Sequence, residues 1–119
     1  MIKGIGLDLI ETARIEKALE NSRFIERVFT PLEIELLHEQ NSPERAAGMF
    51  AAKEAVVKAL GTGFGKVKWT DVEVLREDSG APFVVLHNYA RSLLGENDRV
   101  LVSITNIKDM ASAVAITEG

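Results

Sequence analysis

The stretch Ala46–Leu60 constrains this chain more than any other segment. It reads Ala46-Ala47-Gly48-Met49-Phe50-Ala51-Ala52-Lys53-Glu54-Ala55-Val56-Val57-Lys58-Ala59-Leu60, and Gly61-Thr62-Gly63-Phe64-Gly65 follows at once. Length and alanine content predict a helix. It is apolar almost all round, so most of its surface must be buried against other elements. Three charged residues interrupt it: Lys53, Glu54 and Lys58. Glu54 and Lys58 are four apart and share a face. One reading is a solvent-facing ion pair worth about 0.3–0.5 kcal/mol. The other is a metal or phosphate site, with Glu54 as an oxygen ligand for a hard cation and Lys58 facing a phosphate.

The N-terminal segment bears on that choice. In Met1-Ile2-Lys3-Gly4-Ile5-Gly6-Leu7-Asp8-Leu9-Ile10-Glu11, Met1–Asp8 reads as a buried first strand with Asp8 near its end. Gly4 and Gly6 weaken a strand unless another backbone or a ligand comes close. Alone, Asp8 is a turn or cap residue. Paired with Glu54, it supplies the second carboxylate of a Mg²⁺ site, which takes one or two protein carboxylates and completes its shell with water and substrate phosphate.

Several helix boundaries are written in the sequence. Thr12–Asn21 is expected to be helical, with Ile15, Ala18 and Leu19 at apolar spacing. Thr30-Pro31-Leu32-Glu33 predicts a capped start: Thr30 caps, Pro31 enters the first turn and Glu33 completes a capping box. Ser42-Pro43-Glu44-Arg45 starts the long helix in the same way, and Gly61 ends it. The second half reads as β-rich. Strands are expected over Lys66–Arg76, Phe83–Leu86, Arg99–Thr105 and Met110–Thr117, with a short helix at Asn88–Leu94. Helices mainly first and strands mainly later predict an α+β class, in a single domain spanning residues 1–119.

Composition removes some functions. Without cysteine there is no disulfide, thiolate metal site or cysteine nucleophile. The start lacks the basic and long apolar regions of a signal peptide, and no apolar run approaches membrane-spanning length; the expected location is cytoplasmic, with no membrane partner. A net charge of −4 disfavours general nucleic-acid binding. A local basic patch is still visible: Arg14, Lys17, Arg23 and Arg27, interleaved with Glu16, Glu20 and Glu26. It is either a mixed solvated surface or a docking face for an acidic partner. Gly61-Thr62-Gly63-Phe64-Gly65 has a helix before it and a strand after it, so it is not a nucleotide-binding loop of either common type. It is a helix cap running into a turn, or a loop that meets a ligand by backbone. His38 and His87 have no metal-ligand spacing. Trp69 reads as a packing residue. Ser103 and Thr105 share one strand face, either as plain polar surface or facing a ligand.

Gly4-Ile5-Gly6-Leu7-Asp8-Leu9-Ile10-Glu11, followed by Phe50-Ala51-Ala52-Lys53-Glu54-Ala55-Val56-Val57-Lys58-Ala59-Leu60-Gly61-Thr62-Gly63, closely resembles the holo-[acyl-carrier-protein] synthase family, the short, trimeric class of 4′-phosphopantetheinyl transferases. Weaker matches follow in order: Asp71-Val72-Glu73-Val74, Gly80-Ala81-Pro82, Val102-Ser103-Ile104-Thr105 and Ala111-Ser112-Ala113-Val114-Ala115. The resemblance implies that family's fold and a Mg²⁺-dependent transfer of 4′-phosphopantetheine from coenzyme A to a serine of apo-acyl carrier protein, releasing adenosine 3′,5′-bisphosphate. Asp8 and Glu54 would hold the metal, and Lys58 would complete the catalytic set. Arg45, Lys58, Gly61, Thr62, Gly63, Ser103 and Asn106 would face coenzyme A. Arg14, with Lys17, Arg23 and Arg27, would face the acidic helix of acyl carrier protein. A homotrimer with sites at subunit interfaces is implied too. The family usually has His where this chain has Asn106, and often Arg where it has Met49. Two other classes compete: a carrier-protein- or coenzyme-binding module with weakened catalysis, which the presence of Asp8, Glu54 and Lys58 opposes, and a generic Mg²⁺-nucleotide hydrolase, which lacks its phosphate loop.

Overall fold

A computed structural model describes residues 1–119. Strand β1 (Ile2–Glu11) leads through helices α1 (Thr12–Ala18), α2 (Ser22–Val28) and α3 (Pro31–Glu39) to the long helix α4 (Pro43–Leu60). A hairpin of β2 (Val72–Arg76) and β3 (Pro82–Leu86), the short helix α5 (Asn88–Ser92), and strands β4 (Arg99–Asn106) and β5 (Met110–Glu118) complete the chain. β5 lies at the centre of an antiparallel three-stranded sheet, between β1 and β4. The α+β expectation holds, although the strands divide into two sheets and the first half supplies an edge of the larger one.

The small residues of α4 allow it to lie directly on that sheet. Ala55 and Ala59 face Gly4 and Gly6, where an added Cβ would stand 2.0 Å from the Ala59 carbonyl oxygen and 1.9 Å from the Ala55 carbonyl oxygen, respectively. The two strand glycines are thus explained by the close approach of a second backbone. From β5, Ala111, Ala113 and Ala115 are buried in the same core. This apposition sets the height of α4 over β1, and with it the distance between Asp8 and Glu54.

Helix capping follows the sequence. The Thr30 side chain accepts from the Glu33 N–H while the Glu33 carboxylate accepts from the Thr30 N–H. Ser42 caps α4, and Gly61 ends it in the left-handed region at φ 81°. Other boundaries move. The first helix stops at Ala18, because Asn21 caps a separate helix by accepting from the Arg23 N–H. The strand expected from Lys66 begins only at Val72: the Asp71 carboxylate accepts from the Lys68 N–H at 3.0 Å and folds Trp69–Asp71 into a 3₁₀ turn. The first strand is buried on one side only. Ile5, Leu7 and Leu9 are 67%, 63% and 63% exposed, on the sheet face opposite α4.

Candidate active site

Asp8 sits on β1 with its side chain on the α4 side, and its carbonyl accepts from the Ser112 hydroxyl of β5 at 2.9 Å. Glu54 and Lys58 project from successive turns of α4. Asp8, Arg14, Glu54 and Lys58 line a single pocket with Ile10, Ile15, Phe24 and Phe50. The Lys58 ammonium reaches down to the strand, donating to the Leu7 carbonyl at 2.9 Å and pairing with Asp8 Oδ1 at 3.4 Å. Its salt-bridge partner is therefore Asp8, and the helix-surface pair with Glu54 does not form. Burial raises the Glu54 pKa above the ordinary carboxylate value; the neighbouring Asp8 charge adds to the rise and Lys58 opposes it.

This donor set suits a hard divalent cation. Two carboxylates from different elements converge, and their mutual repulsion is the charge that such a cation relieves. No group of three or more metal-ligating side chains occurs, so water and substrate oxygens would supply the rest of the shell.

The remaining candidates distribute differently. Arg23 and Arg27 line an adjoining groove with Phe24, Phe50 and Trp69, while Lys17 is exposed on α1. Gly61, Thr62 and Gly63 form the exposed loop after Lys58, with Gly63 also at positive φ. Arg45 lies nine residues before Glu54, about 14 Å along the helix at 1.5 Å per residue. Burial lowers the pKa of Arg76, and the nearby Arg45 charge adds to the fall. Asn106 donates to the Glu44 carbonyl at 2.9 Å. Ser103 points away from α4, onto the exposed sheet face with Leu101 and Thr105. Within one chain, then, Arg45, Ser103 and Asn106 do not join the carboxylates. Met49 is 1% exposed and belongs to the core.

Neither the groove's aromatic floor nor the partner of Lys53 follows from local spacing in the sequence. Lys53 is fully buried and pairs with Glu33 at 2.8 Å. Burial pushes the Lys53 pKa down and the Glu33 pKa up, each resisted by the other's charge. The one sequence signal is a lysine on an apolar helix, one residue out of register with Glu54. His87 Nε2 lies 3.0 Å from Glu73 Oε1, and Glu73 Oε2 accepts from the Thr30 hydroxyl at 2.5 Å.

The profile of the 4′-phosphopantetheinyl transferase superfamily matches residues 4–114. A holo-[acyl-carrier-protein] synthase of Alkaliphilus metalliredigens is 48% identical over 120 residues, covering 98% of each chain. One from Clostridium tetani is 46% identical, covering all of this chain and 98% of the relative. Among solved structures, the holo-(acyl-carrier-protein) synthase of Bacillus anthracis in complex with CoA (3′,5′-ADP) superposes with a TM-score of 0.86 at 39% identity, covering 100% of this chain and 98% of that one. The Helicobacter pylori enzyme in complex with coenzyme A gives 0.84 at 32% identity, covering 96% and 99%. The chain belongs to the 4′-phosphopantetheinyl transferase superfamily and, within it, to the holo-[acyl-carrier-protein] synthases, enzymes that transfer phosphopantetheine.

Proposed function

We propose that residues 1–119 act as one catalytic domain that moves 4′-phosphopantetheine from coenzyme A to a serine of apo-acyl carrier protein, with Mg²⁺ bound by Asp8 and Glu54 and adenosine 3′,5′-bisphosphate as the second product. The observation that carries this reading is the convergence of Asp8, Glu54, Lys58 and Arg14 in one pocket. The complexes formed by the Bacillus anthracis and Helicobacter pylori relatives support coenzyme A as donor. The expected setting is the cytoplasm.

Such transfer depends on positioning and charge neutralisation more than on covalent chemistry. When bound, Mg²⁺ would neutralise charge on the pyrophosphate. Lys58, held by the Leu7 carbonyl and Asp8, presents a compact positive charge to the leaving phosphate. Glu54, the second carboxylate of the pair, is the candidate to take up the serine proton, alongside its role as a metal ligand. Gly61, Thr62 and Gly63 border the donor from the end of the same helix. Mass spectrometry of apo-carrier protein incubated with coenzyme A tests the reading: the phosphopantetheine mass should appear with Mg²⁺ and not without it, and its absence in both overturns the reading.

The carrier protein is proposed to dock through Arg14, Arg23 and Arg27, with Lys17 at the edge. The groove beside Arg23 and Arg27 has the apolar floor that an amphipathic acidic helix would cover. Arg14→Glu is expected to raise the KM for carrier protein about tenfold or more with little change for coenzyme A, and to lessen the salt sensitivity of transfer. Equal change in both KM values would move the docking face elsewhere.

The outer sheet face supports self-association, and three copies are what the family resemblance implies. Ile5 stands opposite Ile116, which in turn faces Leu101, and Leu7 stands opposite Val114. A continuous exposed apolar face of this kind marks a protein interface. Of the residues that stand apart from the carboxylates, Ser103 lies on this face and would meet a neighbouring subunit. Light scattering should give three chains for the wild type and one for Ile5→Glu, with loss of transfer in the variant. A monomeric, active wild type would end this part of the reading.

A further inference from the structure

Lys53 is the buried charge that the transfer chemistry leaves unused. Its side chain is fully enclosed. An ammonium has three N–H donors, and each one has a partner: Glu33 Oε1 at 2.8 Å, the Trp69 carbonyl at 3.1 Å and the Val72 carbonyl at 2.5 Å. Glu33 is equally committed, accepting from the Thr30 and Val74 N–H groups at 2.8 Å each. The pair thus pins both ends of the segment from Trp69 to Val72 to the middle of α4 and the start of α3. Buried ion pairs are often no more stabilising than apolar residues of equal volume. The distinctive effect of this one is geometric.

The pinned segment carries Trp69. Its ring stacks on Phe64 at 3.7 Å and 18° and on Phe50 at 4.8 Å and 25°. Phe50 stacks in turn on Phe24 at 6.1 Å and 26°. Four rings form a ladder from the glycine loop, over α4, to α2. Phe24, Phe50 and Trp69 floor the groove beside Arg23 and Arg27, and Phe24 and Phe50 continue into the pocket of Asp8 and Glu54. The contacts of Lys53 with the Trp69 and Val72 carbonyls hold both ends of the backbone segment that carries this ring.

We propose that Lys53, through its pair with Glu33, is a positioning residue for carrier-protein docking: it fixes Trp69 and so the aromatic floor of the groove. This rests on the docking reading above. It makes Lys53 a determinant of carrier affinity, separate from the neighbouring Glu54, which acts in the transfer step.

Trp69 is the only tryptophan, so its fluorescence reports the ladder directly. The double variant Lys53→Met/Glu33→Gln removes the pair without stranding a buried charge. With its far-ultraviolet circular dichroism retained, it should show Trp69 more open to acrylamide quenching. Its KM for carrier protein should rise about tenfold, equivalent to ~1.4 kcal/mol, while the KM for coenzyme A and kcat stay within about twofold. Unchanged quenching with an unchanged carrier KM overturns the proposal, and so does an equal loss in kcat and both KM values. Trp69→Leu leaves the ion pair intact and covers the case of a double variant that does not fold: the same carrier-selective rise in KM is expected, and its absence overturns the proposal. Arg27→Ala separates the two readings. If it leaves the carrier KM unchanged, the docking groove itself is wrong and the inference falls with it. If it raises that KM while Trp69→Leu does not, only the role of Lys53 is overturned.

Discussion

Asp8→Asn and Glu54→Gln are each expected to reduce transfer about 10³-fold, ~4 kcal/mol of transition-state stabilisation, while the fold survives. Both swaps preserve size and remove one of the two charges that converge between β1 and α4. Asp8→Asn also removes the negative charge paired with the Lys58 ammonium, so its effect on kcat should be at least as large. Stability gives a second readout that does not depend on turnover. The folded pKa of Glu54 lies above its unfolded value because of burial and the Asp8 charge. This group's stability contribution is therefore full below the unfolded pKa and is lost as pH rises through the folded pKa. A cation bound to the ionised pair offsets that loss. Added Mg²⁺ should raise Tm more at about pH 8 than at about pH 5, and Glu54→Gln should abolish most of the difference. Near-normal transfer in either variant at limiting Mg²⁺, or an equal Tm rise at both pH values in the wild type, would remove the metal assignment.

Gly6→Ala should be the most damaging single-methyl change in the chain. The new Cβ would lie 1.9 Å from the Ala55 carbonyl oxygen and 2.8 Å from the Ala59 nitrogen. Both are backbone atoms of α4, so no side-chain rotation relieves the clash; the helix must lift off the sheet. Overpacking that moves a core helix belongs to the mechanisms that cost about 4 kcal/mol or more, a large share of a domain's ~5–15 kcal/mol. The variant should be insoluble or melt far below the wild type. Any folded fraction should lose transfer, since Asp8 and Glu54 stand on the two elements being separated. Gly65→Ala is the control: nothing lies within 4 Å of its added Cβ, and its effect should stay within about 0.5 kcal/mol. Equal melting of the two variants would show that the close approach of α4 and β1 is not what these glycines serve.

Much of this organisation is local, and local chemistry is legible in a sequence. Thr30, Pro31 and Glu33 write a helix start because the capping bonds lie within one turn. Gly61 writes a stop because a left-handed residue suits glycine. The spacing of Glu54 and Lys58 on one helix face is likewise intrinsic to the α4 segment. Asp71 shows the limit of such patterns: an alternating run from Lys66 read as strand, but one side-chain bond to the Lys68 N–H bent its centre into a 3₁₀ turn.

Contacts between distant segments could not be read in the same way, because packing selects among partners that spacing leaves equivalent. Lys58 had Glu54 one turn away, and the fold gave it Asp8 and the Leu7 carbonyl instead, since α4 crosses β1 there. Lys53 and Glu54 are neighbours in sequence, yet a rotation of about 100° along the helix sends one into a sealed ion pair and the other to the pocket. The first strand looked wholly buried because apolar residues continue on both of its sides; only its pairing with β5, with α4 on one face, shows that Ile5, Leu7 and Leu9 lie on the open face. The chain's residue types and local spacings were sufficient for the family resemblance and for proposing Asp8, Glu54 and Lys58 as reacting groups. The pairing of those groups, and the face left uncovered, were decided by where α4 comes to rest, which depends on the absence of a Cβ at Gly4 and Gly6.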